Sequence, residues 1–238
     1  ARNTVSDPGV LDIDMLQTGH GDRRSLPNTL RLVTEAYGRE PRLPVVEGEV
    51  CYEGIGEASR QEVQRLMFWV CMLSGAAGFT YGANGLWQVN RREQPYGPSP
   101  HGMSWGDTPW DEAAQLPGSR QLGFAKRLLA SLPWWRFEPH PEWIEPHGTA
   151  QDPMLPYAAG IPGEVRLAYI PCLWHTPKLK AMEPGIRYRA RLVSPVDGQE
   201  YPLGTAQGDA DGNWAFPSPL FPIYQDWVLV LTADGVEL

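Results

Sequence analysis

The chain lacks most of the features that assign a function class at a glance. No apolar stretch reaches the roughly 18 to 20 residues that a bilayer-spanning helix needs, so no membrane association is expected. No Lys/Arg cluster offsets the formal charge of -8, which sets 20 basic against 28 acidic residues and argues against a nucleic-acid phosphate surface. A Gly-x-Gly-x-x-Gly fingerprint is absent, which disfavours a nicotinamide enzyme, and a serine-hydrolase reading is disfavoured as well. The five histidines are dispersed with no His-Glu-x-x-His, and Cys51, Cys71 and Cys172 share no metal-like spacing. Neither a metal nor a cofactor is therefore expected. Three cysteines allow at most one disulfide, and Cys71, in an apolar helical run, reads as a buried free thiol. The opening Ala1-Arg2-Asn3-Thr4 has no leader-like character and no initiator Met, and reads as a processed or internal start.

What is present points to a globular protein with many loops. At 238 residues, 42% hydrophobic and 20% charged, the chain can build one large core or two modest ones. The 24 prolines and 25 glycines are scattered between apolar runs without a repeat. Ten tryptophans are the compositional excess: sugar rings stack their C–H faces on indole while their hydroxyls seek polar neighbours. Trp69, Trp134, Trp135 and Trp227 are the ones expected to fill core instead.

Along the chain, residues 10–16 read as a strand running into the loop 17–22. Residues 25–37 read as a helix with Ser25 at the N-cap, Pro27 in the first turn and Gly38 as the stop. A second strand is expected at 43–48, an amphipathic helix at 58–73, a third strand at 78–81 and a helix at 119–132. That alternation predicts a parallel sheet whose catalytic groups lie at the C-terminal strand ends. After Pro139 the pattern changes to short β-like runs at 165–170, 187–193, 214–216 and 226–231, with turns at Asp197-Gly198 and Asp211-Gly212. A small β-sandwich is the expectation there. The domain boundary is set at 147/148.

Three strand ends carry polar clusters that would converge on one rim: Gln17 with His20; Glu47, Glu49 and Glu53; and Tyr81, Asn84, Trp87 and Gln88. Glycoside hydrolysis needs one carboxyl to protonate the leaving oxygen and a second to attack the anomeric carbon or activate water. Glu49 is the candidate nucleophile, at the point where the strand gives way to its loop. Period-two alternation puts Glu47 on the same side, and only one of the two need be catalytic. The ordinary alternative is a solvated glutamate or a salt bridge to Arg60 or Arg65. His20 fits equally well as a carboxylate-orienting group or as a structural hydrogen-bonder.

Taken together, Leu16-Gln17-Thr18-Gly19-His20, Pro44-Val45-Val46-Glu47-Gly48-Glu49 with Tyr52-Glu53, the run from Ser74 through Gly78-Phe79-Thr80-Tyr81-Gly82 to Gln88, and Leu116-Pro117-Gly118 resemble the apiosidase-like glycoside hydrolases. The resemblance implies an α/β chain forming about strands 6 to 8 of a retaining (β/α)8 barrel (1–147), followed by a small all-β sandwich (148–238) that the family labels collagen-binding. Pro195-Val196-Asp197-Gly198 and Asp226-Trp227-Val228-Leu229-Val230 carry that second likeness. It also implies Glu49 as nucleophile, and Gln17, His20, Glu53, Tyr81, Asn84, Trp87 and Gln88 as substrate-binding residues. The acid/base would end strand four, outside this chain. The implied partners are a carbohydrate substrate, such as an apiose or arabinofuranose side chain, and the N-terminal barrel half, supplied as a separate chain or fragment. A non-catalytic carbohydrate-binding or adhesive protein is the alternative.

Overall fold

A computed structural model describes residues 2, 4–97, 105–173, 176–215, 217 and 224–236. The chain divides into two compact units, one of Ala1–Cys71 with Ala76–Leu122 and one of Met72–Gly75 with Gly123–Leu238.

The first unit is built on strand–helix alternation, as the hydrophobic pattern requires. It runs β1 (Asp14–Gln17), α1 (Leu26–Tyr37), β2 (Val45–Glu49), α2 (Gln61–Leu73), β3 (Gly78–Phe79), α3 (Trp110–Ala113) and α4 (Pro117–Ala130), the last entering the second unit at Gly123. The three strands form one sheet in the order β1-β2-β3, and both pairings are parallel. The strands are shorter than expected because residues 8–10 make a 3-10 turn and the chain leaves the ladder after Phe79. Helix α1 starts where expected, yet Ser25 does not cap it with its side chain; its Oγ accepts the Gly21 N–H at 2.7 Å instead. Leu26, Leu30 and Val33 recur at helical spacing and are buried, which gives α1 its inward face.

The second unit is antiparallel. Its strands are β4 (Glu138–Pro139), β5 (Ile144–Glu145), β6 (Tyr157–Ile161), β7 (Val165–Ile170), β8 (Lys178–Leu179), β9 (Tyr188–Val193), β10 (Glu200–Ala206), β11 (Trp214–Ala215) and β12 (Trp227–Ala233). Six of them pair in the order β10-β9-β12-β7-β6-β4 and three in the order β11-β8-β5. Residues of both sheets, among them Ile144, Leu179, Leu192, Leu229 and Leu231, enter one apolar cluster. Strand β12 is buried at every position because it is flanked by β7 and β9. Residues 138–145 pair with these strands, so they stand with the β elements, earlier than the boundary expected at 147/148. Phe216, at the end of one expected strand, lies outside the described residues.

Trp69 and Trp227 are core residues as expected, whereas Trp134 and Trp135 sit in a 3-10 turn where Trp134 is half-buried and Trp135 is 71% exposed. All three cysteines are free thiols, so no disulfide forms between them. Among the described residues no helix is long and apolar enough to cross a membrane.

A buried arginine ties the second unit together. Arg166 on β7 donates to the carbonyls of Lys180 (2.8 Å) and Ala181, pairs with Glu183 at 3.0 Å, and lies 4.0 Å above the Trp143 ring. Removing it leaves the Glu183 carboxylate half-buried without its cation. Arg166→Ala should therefore lower the unfolding free energy by about 3 kcal/mol, measured from the urea midpoint.

Candidate functional site

The β1–β2 ladder carries an irregularity where the site begins. Leu16 pairs with Glu47 and Gln17 with Glu49, so Gly48 is an extra residue on β2. Such a bulge breaks the two-residue alternation and re-aims the side chain that follows. Glu47 and Glu49 consequently end in different surroundings, although period-two alternation had put them together. Glu47 is fully buried at 0% exposure, while Glu49 is 34% exposed at its side chain.

Glu49 is held by two groups on one oxygen. The Tyr52 hydroxyl donates to Oε1 at 2.6 Å, and His20 Nε2 lies 3.0 Å from the same atom. The other ring nitrogen of His20, Nδ1, is 2.9 Å from the Val50 carbonyl oxygen. Both ring nitrogens thus face acceptors: the imidazolium satisfies both bonds, whereas either neutral tautomer satisfies one. The His20 ring is tilted against Tyr52 at 4.8 Å and meets Trp105 edge-on at 6.2 Å. Tyr52 packs against backbone at Gly82, where a Cβ would come within 2.2 Å of the ring, so any side chain there would displace the phenol. Burial, followed by the bond to Glu49, pushes the Tyr52 hydroxyl well above the usual phenol range. It therefore serves as a donor and not as a base.

Glu53 has a different task. The sheet resumes beyond the regular strands, with Glu53 N donating to Gly82 O at 2.9 Å and Asn84 N donating to Glu53 O at 2.8 Å. The Glu53 side chain, 1% exposed, accepts from the Tyr81 hydroxyl at 2.6 Å and from Gly118 N at 2.9 Å, both on Oε2. Gly118 follows Pro117 in the first turn of α4, so a carboxyl 65 residues earlier satisfies one of that helix's orphan N–H groups. A Cβ at Gly118 would lie 2.2 Å from Oε2, so only glycine admits this approach. Burial raises the Glu53 carboxyl above the ordinary range despite both donors. The structure thus uses Glu53 and Tyr81 to anchor α4.

Asn84 and Gln88 are likewise spent on their own loop. Asn84 is 0% exposed, donates to Trp105 O at 2.7 Å and accepts from Gln88 Nε2 at 3.0 Å, while Gln88 Oε1 accepts the Gly85 N–H at 2.7 Å. Trp87, in the same loop, stays 48% exposed with its ring edge-to-face to Tyr96 at 5.4 Å. Gln17 is exposed in register with Glu49. Of the residues singled out from sequence, Gln17, His20 and Glu49 therefore stand together, Glu53 pairs with Tyr81, and Asn84 with Gln88 shapes the Trp87 loop. Tyr52 and Trp105 were not singled out; Tyr52 lies in the quoted motif, and its three-residue spacing from Glu49 was the available signal. Arg65, named as an alternative partner for these glutamates, bonds the Gln121 side chain at 2.5 Å. The segment Gly102-Met103-Ser104-Trp105-Gly106 does have Gly-x-Ser-x-Gly spacing, but Trp105 and Gly106 lie in coil between β3 and α3, not at the strand-to-helix turn a nucleophile elbow requires. Ser104 lies outside the described residues. No group of three or more metal-binding side chains occurs among the described residues.

Glu47 is the most perturbed carboxyl in the region. Burial pushes it up to about 7, against bonds from the Glu49 N–H and the Thr18 hydroxyl, and the nearby Glu49 charge adds to the rise. Its Oε1 accepts the Glu49 N–H at 3.4 Å, whereas Oε2 is buried without a partner.

With this geometry in place, the likeness to known proteins is specific. The family model for the apiosidase-like catalytic domain matches residues 1–136. Among solved structures, one described as a glycoside hydrolase superposes with a TM-score of 0.79 at 20% identity, covering 99% of this chain and 55% of the other. A glycoside hydrolase family 5 protein from Bacteroides vulgatus superposes with a TM-score of 0.77 at 20% identity, covering 99% of this chain and 53% of the other. The chain thus spans about half the length of these structures. No curated protein matches it in sequence.

The raised Glu47 carboxyl makes stability depend on pH in a definite direction. Unfolded, it releases its proton near 4.5; folded, near 7. Between those values the folded state holds more protons, so stability is greatest below 4.5, falls as pH rises and levels off above 7. Glu47→Gln cannot ionise and should gain about 3 kcal/mol on the parent between pH 4 and pH 8. Chemical denaturation at the two pH values measures this directly; a constant difference would contradict it.

Proposed function

The chain belongs to the apiosidase-like catalytic family, and from that premise we propose that it carries the nucleophile side of a retaining glycoside hydrolase site, with Glu49 as the nucleophile. One observation carries this reading: of the three glutamates at the end of β2, only Glu49 presents its carboxyl to solvent, while Glu47 and Glu53 are 0% and 1% exposed. Both of its bonds fall on Oε1, which leaves Oε2 free to attack an anomeric carbon. The Tyr52 hydroxyl and His20 Nε2 fix the carboxylate through Oε1 and so orient the other oxygen for attack.

A retaining mechanism needs a second carboxyl about 5 to 5.5 Å from the first, to protonate the leaving oxygen and then activate water. Glu47 and Glu53 are both buried and engaged with backbone, so we place that group on residues outside this chain. In this reading β1, β2 and β3 are strands six to eight of a (β/α)8 barrel, and the antiparallel unit is a small β-sandwich. Two features support a missing barrel half: the matched structures are nearly twice as long, and Met15 on the end strand β1 is 55% exposed. The N-terminal half, as a further segment or a separate chain, is the proposed partner. Gln17 and the Trp87 ring supply polar and stacking contacts to a sugar, consistent with exo-action on apiose- or arabinofuranose-type side chains of a polysaccharide.

The test uses the assembled protein. Glu49→Ala should lower hydrolysis of aryl pentofuranosides by about a thousandfold or more, and azide, taking the place of the missing carboxylate, should restore turnover and yield a glycosyl azide of inverted configuration. A Glu49→Ala protein with parental activity, or one that azide cannot revive, would remove Glu49 from the nucleophile role; an assembled parent that binds glycans but hydrolyses no aryl glycoside would point to the non-catalytic carbohydrate-binding alternative.

A further inference from the structure

The carboxyl of Glu47 is not used by the chemistry above, and its setting is unusual. It is a residue of β2 with no exposed surface, directly before the extra residue Gly48 of the bulge. Its Oε1 receives the N–H of Glu49, the amide of the residue that the bulge re-aims. Its other neighbours come from three elements. Thr18, just after β1, holds its hydroxyl near enough to favour the ionised carboxyl, and that hydroxyl is itself 2.7 Å from the Thr29 hydroxyl of α1. The Cys71 thiol of α2 lies near enough for the Glu47 charge to oppose its ionisation. The titratable groups that face Glu47 are therefore Glu49 on its own strand and Cys71 on α2, and no cation is among the groups that set its ionisation. Oε2 is buried without a hydrogen-bond partner, so a negative charge on the carboxyl is only partly compensated.

From this arrangement we propose that Glu47 is a positioning residue for Glu49: as a neutral acid it clamps the bulge through the Glu49 amide, and its ionisation disturbs that clamp. The proposal rests on Glu49 being the nucleophile only for its effect on turnover; the clamp itself is a property of this chain. A neutral carboxyl accepts the N–H without bringing a charge into a site that has no counter-ion. An ionised one places a second negative charge two residues from the Glu49 carboxylate, in surroundings that water cannot screen. The assembled enzyme should then lose turnover on the alkaline side as Glu47 ionises at about pH 7.

Two substitutions separate the clamp from simple structural support. Glu47→Gln keeps an acceptor oxygen and cannot ionise, so in the assembled protein it should retain parental kcat at pH 6 and abolish the alkaline limb that begins near pH 7. Glu47→Ala removes the acceptor and should lower kcat by about tenfold with a smaller change in KM, since the nucleophile is misplaced while sugar contacts remain. An alkaline limb unchanged in Glu47→Gln, or parental kcat in Glu47→Ala, would overturn the proposal. If the assembled protein cleaves no aryl glycoside at any pH, the glycosidase reading fails, and the clamp is then decided on this chain alone. The Glu49 amide 15N resonance should move with a midpoint near pH 7 in the parent and stay fixed in Glu47→Gln. A Glu49 amide that ignores pH in the parent would overturn the clamp on its own.

Discussion

The geometry at the end of β2 depends on one extra residue. Because Gly48 has no partner on β1, the alternation that would have sent Glu47 and Glu49 the same way is broken there, and two chemically identical side chains enter opposite environments. One is fully buried, and burial raises its carboxyl to about 7. The other reaches the rim, between a phenol and an imidazole. Local backbone geometry, not residue type, therefore assigns the roles.

The same logic extends to the third glutamate. Glu53 is removed from solvent by the parallel bridge to Ala83 and given to the first turn of α4, where the helix dipole and the Gly118 amide favour a carboxyl. Of the three glutamates in β2 and just after it, one thus remains facing solvent, Glu49, with Tyr52 and His20 on its carboxyl. Tyr81, Asn84 and Gln88 form a securing layer: each has its polar atoms engaged with protein partners, which fixes the loop that presents Trp87. An orderly first layer of this kind is what a displacement at carbon requires, since the attacking oxygen must be placed to within a fraction of an ångström.

The strand–helix alternation of the first unit was legible because each element carries its own period: Leu26, Leu30 and Val33 for α1, and the short Val45-Val46 run for β2. The parallel sheet followed from it. Elements whose stability comes from pairing rather than pattern were not legible. Strand β6 is Tyr-Ala-Ala-Gly-Ile and β10 contains Pro202 and Gly204, neither with a clean alternation, and both form because β7 and β9 supply the hydrogen bonds. In the site, Glu49 and its neighbour His20 could be named from position alone. The separate fates of Glu47 and Glu53 could not, because they depend on a bulge and on a contact spanning 65 residues. A glycine inside a strand is a recognised bulge signal, and Gly48 lies inside β2.

The account rests on Glu49 attacking carbon, and trapping the covalent intermediate tests that most directly. The assembled protein would be incubated with an activated 2-deoxy-2-fluoro pentofuranoside, digested and mapped by mass spectrometry. The account predicts a single added glycosyl mass on the peptide that contains Glu49, lost in Glu49→Gln. A label on any other carboxyl, or hydrolysis of the reagent with no label at all, would contradict it.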